Sequence, residues 1–279
     1  MTQGSFAGQI SQKNFNFIKE LVYKRSGIIL NENKRGLVYN RLVKRLNNLN
    51  MHCIEEYCDL IRNNHTVELE KLINSITTNM TYFYREKHHF EALKNKILPE
   101  VARSHSSSET IHIWSAACSA GAEPYSIAMC VLDFMESHPR YRFHITASDL
   151  NSDILQVARD GIFHQDQVKE VPAQQLQRWF LRGTAENKEY VRVKSALQQL
   201  ITFKQLNLLD TWDFRRNIDI IFCRNVMIYF DKSTCAQLHK RFAELLVPNG
   251  YLVIGHSETI NNELLGLKLV GKTIYQKIN

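Results

Sequence analysis

The sequence predicts an α/β protein in which an all-α segment precedes an open sheet, with a small β ribbon inserted into the sheet region. Three observations predict this fold class. Residues 1–76 repeat apolar side chains at helical spacing. From about residue 110, strand-like and helix-like runs alternate. A segment at about 164–200 is too long for a simple connector. We therefore expect two domains, 1–76 and 77–279, with the insertion in the second.

The first part of the chain has the pattern of helices throughout. FNFIKELVYKRSGIIL places apolar residues at helical spacing, and SITTN, at residues 75–79, breaks that pattern. NKRGLVYNRLVKRLNNLN predicts a helix with Leu37, Leu42, Val43 and Leu46 on one face. The opposite face is basic and is either merely solvated or a docking surface for an acidic partner. Its residues are Lys34, Arg35, Arg41, Lys44 and Arg45.

The second part opens with the strand IHIWSAA and the helix EPYSIAMCVLDFMES, whose Pro124 falls in the first turn, where its missing N–H costs little. The strand RFHITASD and the helix NSDILQVARDG follow, and Gly161 is expected to end that helix. In the insertion we expect a short helix and the ribbon RWFLRGTAENKEYVRV. LITFKQLNLLD and IDIIFCRN are the next strands. The helix KSTCAQLHKRFAELLVPNG is expected to end at Pro248 and Gly250, before the strand YLVIGHSE and a hairpin in LKLVGKTIYQK.

Composition narrows the function classes. The 279 residues are 44% hydrophobic and 23% charged, as in ordinary globular proteins. No apolar run approaches the roughly 20 residues that span a bilayer, and the N-terminus does not resemble a signal peptide, so we expect a cytoplasmic location without membrane insertion. Six cysteines without a Cys-x-x-Cys pair are expected to be reduced thiols in the core. The formal charge of +7 admits nucleic acid, an anionic membrane surface or an acidic protein as partner.

A turn of small residues links the first strand of the α/β region to its helix. Residues 115–122, SAACSAGA, permit close approach of backbone N–H groups to a ligand, with Ala117 near the centre. The turn has one glycine, Gly121, and no GxGxxG pattern, which counts against a dinucleotide pyrophosphate. We therefore expect a ligand without a phosphate at this turn.

Polar side chains follow the other strand ends. Asp149 ends the second strand, where a carboxylate commonly bonds ribose hydroxyls, although capping of the next helix is an equal alternative. Glu123 opens the helix after the turn and can either stabilise the helix dipole or accept from a ligand ammonium. Amide side chains and apolar edges that suit an adenine ring follow two further strands, at Asn207, Leu208, Asn225 and Val226. Four such strand ends without a phosphate loop indicate S-adenosylmethionine.

Five segments of this chain closely resemble the chemotaxis-receptor glutamate methyltransferases, the CheR family. The segments are NMTYFYREKHHFEAL, IWSAACSAGAEPYSIAM, ASDLNSDILQVARDGIF, FCRNVMIYFDK and LVPNGYLVIGHSE. The resemblance runs from about residue 15 to the C-terminus, and CRNVMIYF and GHSE are its more specific parts. It implies a Rossmann-like S-adenosylmethionine-dependent methyltransferase domain with a small β-subdomain, preceded by an all-α N-terminal domain.

The resemblance also implies roles for individual residues. Arg85 and Tyr229 are expected nearest the reacting end as catalytic residues. Whether Arg85 binds the carboxylate of the cofactor or of the substrate stays open, and Tyr229 either borders the methyl group or only packs. Ala122 stands where the family often has an acidic residue, but Glu123 remains. The implied cofactor contacts are Asn79, Thr81, Arg85, Glu123, Asp149, Asn207, Leu208, Asn225 and Val226.

The expected reaction gives a glutamate γ-methyl ester and S-adenosylhomocysteine. A glutamate has an ordinary pKa of about 4.3 and is already ionised at neutral pH, so neither a base nor a metal is expected, and catalysis rests on alignment. The expected partners are the glutamate-rich cytoplasmic domains of methyl-accepting chemotaxis receptors, toward which the basic helix would steer a monomeric enzyme. A receptor C-terminal peptide is a further candidate for the β-subdomain, where AENKE replaces the glycines of peptide-docking relatives.

Two other functions are disfavoured by the sequence. Enzymes that methylate exocyclic amines of bases commonly carry Asn/Asp-Pro-Pro-aromatic after the fourth strand, whereas this chain has RNVMIYF, so we expect no nucleic-acid partner. A non-catalytic scaffold is disfavoured because Arg85, Asp149, Asn225 and Tyr229 are all present.

Overall fold

The chain forms two compact units, an all-α unit and an α/β unit. The computed structural model describes residues 10–63, 66–260 and 265–278. One unit comprises Met1–Thr78 with Tyr229–Asp231, and the other comprises Asn79–Ile228 with Lys232–Asn279. The predicted fold class, an all-α segment before an α/β sheet with an inserted β-subdomain, is confirmed.

Within residues 10–63 and 66–78, four α-helices build the helical unit: α1 (Gln12–Ser26), α2 (Arg35–Asn48), α3 (Ile54–Arg62) and α4 (Thr66–Ile76). The Ser11 side chain caps α1 by accepting from the Asn14 backbone N–H, and Gly27 ends the helix with a φ of 71°. Phe15 and Ile18 of α1 and Leu72 of α4 are fully buried in one apolar core, so tertiary packing stabilises these short helices.

The predicted apolar face of α2 is partly wrong. Val38, Leu42 and Leu46, four residues apart, are fully buried, whereas Leu37 and Val43 are only half-buried. A helix turns through about 100° per residue, so an i, i+4, i+8 series packs on the core and its neighbours lie at the margin.

The strands, in chain order, are β1 (Thr110–Ala116), β2 (Arg142–Asp149), β3 (Ile162–His164), β4 (Phe180–Arg182), β5 (Tyr190–Val193), β6 (Ile201–Gln205), β7 (Ile218–Cys223), β8 (Leu246–Ile254), β9 (Leu267–Gly271) and β10 (Ile274–Lys277). Seven of them form the main sheet, in the order β6-β2-β1-β7-β8-β10-β9. The first five of these pair in parallel, and β10 pairs antiparallel with both β8 and β9, which confirms the predicted hairpin.

The remaining helices are α5 (His88–Ala92), α6 (Leu98–Arg103), α7 (Ala122–Ser137), α8 (Ser152–Asp160), α9 (Ala173–Trp179), α10 (Ser195–Gln198) and α11 (Lys232–Leu245). A π-helical turn, Leu93–Ile97, joins α5 to α6. Gly161 ends α8 as predicted, with a φ of 62°. The predicted end of α11 is wrong, because the helix stops at Leu245 and Pro248 lies within β8.

The insertion forms a separate three-stranded antiparallel sheet, in the order β3-β5-β4, with α9 leading into β4. The predicted short helix and β ribbon are confirmed, and β3 is an additional strand. Val191 and Val193 of β5 point inward and are buried, whereas Tyr190 and Arg192 alternate with them on the exposed face.

The prediction that the cysteines fill the core is confirmed for four of them and wrong for two, because Cys53 is exposed and Cys235 is half-buried. All six cysteines are free thiols, and Cys58, Cys118, Cys130 and Cys223 are buried. Among the described residues, no helix combines the length and apolar character needed to cross a bilayer.

Candidate active site

The candidate site lies where four parallel strands of the α/β unit end. Ala116 of β1 pairs with Ser148 of β2 and with Cys223 of β7, and Asp149 pairs with Gln205 of β6. The residues that follow these strand ends therefore meet at one edge of the sheet, the edge where open α/β folds bind ligands.

The turn after β1 folds back over the end of β2. Ala117, Ser119 and Gly121 all have positive φ angles, of 58°, 52° and 93°. The Cys118 N–H donates to the Ser148 carbonyl at 2.9 Å, which holds the turn against β2. A Cβ on Gly121 would lie 2.9 Å from the Ala158 Cβ, so the close packing of this turn on α8 requires glycine.

Asp149 is buried and anchors this turn. Its Oδ2 accepts from the Ser119 N–H at 2.8 Å, and its Oδ1 accepts from the Asn151 N–H at 2.9 Å. Burial raises the pKa of Asp149, and these backbone hydrogen bonds oppose the rise. The alternative role as an N-cap is excluded, because the Asn151 side chain caps α8. A carboxylate has about four acceptor positions, so Asp149 retains capacity for hydroxyl donors.

The segment 79–85 packs against the same turn. The Ser119 hydroxyl donates to the Asn79 carbonyl at 3.0 Å, and the Tyr84 N–H donates to the Ser126 hydroxyl at 3.1 Å. Thr81 and Arg85 are half-buried. The structure thus brings Asn79, within the same unit, to the turn that Asp149 anchors.

Asn207, Leu208, Asn225 and Val226 occupy the loops after β6 and β7. The Asn207 Oδ1 accepts from the Leu209 N–H at 3.1 Å, and Leu208 is buried. Asn225 has a φ of 58°, and its Nδ2 donates to the Glu86 Oε1 at 3.2 Å. These residues follow neighbouring parallel strands, so the predicted adenosine contacts share the sheet edge with Asp149.

A buried ion network that the sequence did not reveal crosses the site. The Arg224 side chain, only 2% exposed, donates to the Glu123 Oε2 at 3.0 Å and lies 3.3 Å from the Glu86 Oε2. The Ser115 hydroxyl donates to the Glu123 Oε1 at 2.7 Å. Burial alone would raise the pKa of Glu86, but hydrogen bonds from His256 and Asn225 and the Arg224 charge lower it to about 2. Glu123 therefore binds the side chains of Ser115 and Arg224, in addition to standing in the first turn of α7.

Glu258 clamps the loop after β7. Its carboxylate accepts from the backbone N–H groups of Gly255 at 2.6 Å, Asn225 at 3.0 Å and Met227 at 2.8 Å. The side chain is buried, which raises its pKa against the effect of these bonds. The motif GHSE thus supplies the acceptor that fixes the motif RNVM, a pairing that neither motif shows by itself.

Other predicted residues belong to the helical unit. Tyr229 groups with that unit, and its carbonyl accepts from the Ile29 N–H at 2.9 Å. Arg45 pairs with the buried Glu68 at 2.5 Å, and Arg35 donates to the Gln12 side chain at 2.9 Å. The proximity of Tyr229 to the cofactor therefore remains a prediction.

Lys34 and Lys44 are exposed, and Arg41 is half-buried. Lys34 directly precedes α2, and helical spacing places it on the same side as Arg41 and Lys44 of that helix. Of the five predicted basic residues, these three form its outward basic surface, since Arg35 and Arg45 make contacts within the unit.

Comparison with known proteins decides the family. A family model described as CheR methyltransferase, SAM binding domain, matches residues 79–275, and one described as CheR methyltransferase, all-alpha domain, matches residues 13–77. The chain belongs to the CheR methyltransferase family. The resemblance predicted from the sequence motifs is thereby confirmed, and so is S-adenosylmethionine as the cofactor.

Curated relatives match nearly the whole chain. The chemotaxis protein methyltransferase of Escherichia coli (strain K12) is 42% identical over 268 residues, covering 95% of this chain and 91% of the relative. The probable chemotaxis protein methyltransferase of Rhizobium etli is 40% identical over 244 residues, covering 87% and 91%. The chemotaxis protein methyltransferase 2 of Pseudomonas aeruginosa is 39% identical over 267 residues, covering 95% and 93%.

The donor set of the CheR site fits S-adenosylmethionine. A buried carboxylate, Asp149, with acceptor capacity suits a ribose diol, and the turn of small residues leaves room for the amino-acid end. The helix after the turn opens with Glu123 rather than with a run of glycine amides, which suits a cationic ligand better than a phosphate.

Proposed function

We propose that this chain transfers a methyl group from S-adenosylmethionine to the side-chain carboxylate of glutamates in chemoreceptors, giving γ-methyl esters and S-adenosylhomocysteine. The observation that carries this proposal is the Asp149-anchored turn at the ends of four parallel strands, within the segment 79–275 that matches the family's SAM-binding domain. The proposal assigns residues 1–76 to receptor docking and residues 77–279 to catalysis, with the β-subdomain at about 164–200.

The chain's own residues bind and orient the reactants. The cofactor, when bound, supplies a methyl group on a sulfonium centre. We assign the cofactor contacts to Asn79, Thr81, Arg85, Ala117, Glu123, Asp149, Asn207, Leu208, Asn225 and Val226. The receptor glutamate is ionised at neutral pH, so none of these residues needs to remove a proton. Arg85 binds a carboxylate, Tyr229 borders the reacting end, and the rate enhancement comes from alignment of the reactants.

The outward basic surface of α2, Lys34, Arg41 and Lys44, is the proposed docking surface for glutamate-rich receptor segments. Opposite charges on the two surfaces raise the association rate and set the register. We propose that the enzyme acts as a monomer in the cytoplasm, where it meets the signalling domains of the receptors.

The exposed face of the β-subdomain is the proposed site for a receptor C-terminal peptide. Ile162 and Leu181 are 47% and 54% exposed, and both pair in register with Arg192 of the central strand β5. Strand β4 is an edge of its sheet, so an extended peptide can pair with it through backbone hydrogen bonds. A basic side chain between apolar ones suits a peptide that ends in a carboxylate.

The test uses purified protein, labelled S-adenosylmethionine and receptor-containing membranes from the source cell. The labelled product is treated with alkali, because a carboxyl methyl ester then releases volatile methanol whereas a methyl group on a nucleic-acid nitrogen stays in place. We expect volatile label from a receptor-sized band, and none from the matched Asp149→Asn protein. Base-stable label in nucleic acid would overturn the proposal.

A further inference from the structure

We propose that Arg224 is a positioning residue for methyl transfer: it bridges the carboxylates of Glu86 and Glu123 and thereby sets Arg85 relative to the turn after β1. This inference rests on the proposed function, because it concerns how the cofactor-binding residues are held. Arg224 lies between the last residue of β7 and Asn225, so its backbone is fixed by the centre of the sheet.

The contacts of Arg224 reach two separate segments of the α/β unit, residues 85–90 and the start of α7. One guanidinium nitrogen, NH1, donates to the Glu123 Oε2 at 3.0 Å, at the start of α7. The other, NH2, lies 3.3 Å from the Glu86 Oε2 and also donates to the backbone carbonyl of Arg85. The guanidinium carbon sits 5.6 Å from the centre of the Phe90 ring. One planar group therefore fixes both Arg85 and Glu123. A lysine at this position would offer only a single point of charge and could not make both contacts in the same way.

The charges of Glu86, Glu123 and Arg224 give these three residues a further role. Two carboxylates face one guanidinium. The Ser115 hydroxyl donates to Glu123, and Glu86 binds the Asn225 amide and the His256 Nδ1, the latter at 2.8 Å. The cluster of Glu86, Glu123 and Arg224 thus carries one excess negative charge, the sign that attracts a cationic sulfonium ligand. Because burial of charge offsets much of the attraction within such a cluster, its main contribution is geometry rather than stability.

A metal site is the competing interpretation of the same region. Glu86, His88 and His89 offer ligand atoms that lie within 4.8 Å of one another. The His89 Nε2 contacts the Lys272 carbonyl at 3.1 Å and the Thr273 hydroxyl at 2.9 Å, which leaves its Nδ1 without a hydrogen-bond partner, as in many metal ligands.

The position of Arg224 argues against a metal ion bound by Glu86, His88 and His89. Its guanidinium lies 3.3 Å from the Glu86 Oε2, and that oxygen lies 3.3 Å from the His89 Nδ1. The carboxylate oxygen that a metal ion would use already faces a fixed positive charge, and a second cation there would be repelled at short range. The arrangement therefore favours Arg224 as the cation of this cluster.

The test is a double-mutant cycle on cofactor binding, measured by calorimetry without receptor. We expect Arg224→Lys to weaken binding of S-adenosylmethionine by about 10- to 100-fold, the scale that loss of a hydrogen bond to a charged group brings. If Arg224 acts in part through Arg85, the same change costs distinctly less affinity in an Arg85→Ala background than in the unaltered chain, because only the effect through Glu123 remains. The exposed Arg215→Gln serves as the control and should bind like the unaltered chain.

Three results would overturn this proposal. They are unchanged affinity in Arg224→Lys, an equal loss in both backgrounds, and a loss of affinity in the unaltered chain on treatment with a chelator that added zinc reverses. Thermal unfolding without ligand shows that the variants are folded, and Glu86→Gln/Arg224→Gln, which removes one charge of each sign, provides a second variant if Arg224→Lys is unstable. Failure of the unaltered chain to methylate receptors, with cofactor still bound, would contradict the proposed function alone.

Discussion

Replacement of Gly255 by alanine tests the close packing behind the loop that carries Asn225. Gly255 follows β8, and its N–H donates to the Glu258 carboxylate at 2.6 Å. A Cβ at this position would lie 2.8 Å from the Asn225 backbone nitrogen, 2.5 Å from its Nδ2 and 2.9 Å from the Glu258 Oε2. All three distances are below 3.0 Å, and two of the atoms belong to a fixed loop or to its clamp, so the loop must move.

The loss of stability in Gly255→Ala can be worked out for the two ways in which the loop can respond to the added Cβ. If the loop stays in place, overpacking costs about 1–3 kcal/mol. If it moves away, the hydrogen bond from the Asn225 N–H to the charged Glu258 is lost, at about 1.5–3 kcal/mol. We therefore expect the α/β unit to lose about 2–3 kcal/mol of stability by either route. For a domain of 150–250 residues this lowers Tm by about 2–4 °C per kcal/mol. Because Asn225 is a proposed cofactor contact, affinity for S-adenosylmethionine should fall more than about tenfold.

The assay is thermal unfolding followed by tryptophan fluorescence. All three tryptophans, Trp114, Trp179 and Trp212, lie in the α/β unit, so the emission reports on that unit. Gly271→Ala in the same unit is the matched control, since a Cβ there would meet only the Ile274 side chain, at 3.3 Å or more. An unchanged Tm and affinity in Gly255→Ala, like those of the control, would refute the reasoning.

Three further predictions concern charge. The Glu86 pKa is lowered to about 2, so ionised Glu86 stabilises the folded state fully above the ordinary glutamate range, and this stabilisation is lost as the pH falls toward 2. The free energy of unfolding of the α/β unit should therefore decrease over this acid range, and the Glu86→Gln protein should lack that part of the decrease. Tyr57→Phe removes a buried 2.7 Å hydrogen bond to Glu68 and should cost the helical unit about 1–3 kcal/mol by circular dichroism; no change would contradict a stabilising role for that bond. Charge reversal at Arg41 and Lys44 should slow receptor methylation, most strongly at low salt, with cofactor affinity unchanged, and an equal loss of both would exclude docking by α2.

The residues that lie close to a strand end were predictable because strand and turn patterns are local. Asp149 ends β2, and Asn225 follows β7, so an alternation of strands and helices was enough to place both at one edge of the sheet. The end of α11 was not predictable in this way. Pro248 suggested a helix stop, but Leu246 already pairs with Ile218 of β7, so the chain enters β8 before it reaches the proline.

The sequence by itself determined the fold class, the family motifs and the strand ends that carry the proposed cofactor contacts, because each depends on patterns within a few residues. Only the tertiary structure decided how those ends are held. Glu258 binds the Asn225 N–H across 33 residues, and Arg224 reaches the Arg85 carbonyl across 139. Such pairs are absent from any local pattern, since a buried carboxylate or guanidinium finds its partner only when distant segments fold against each other.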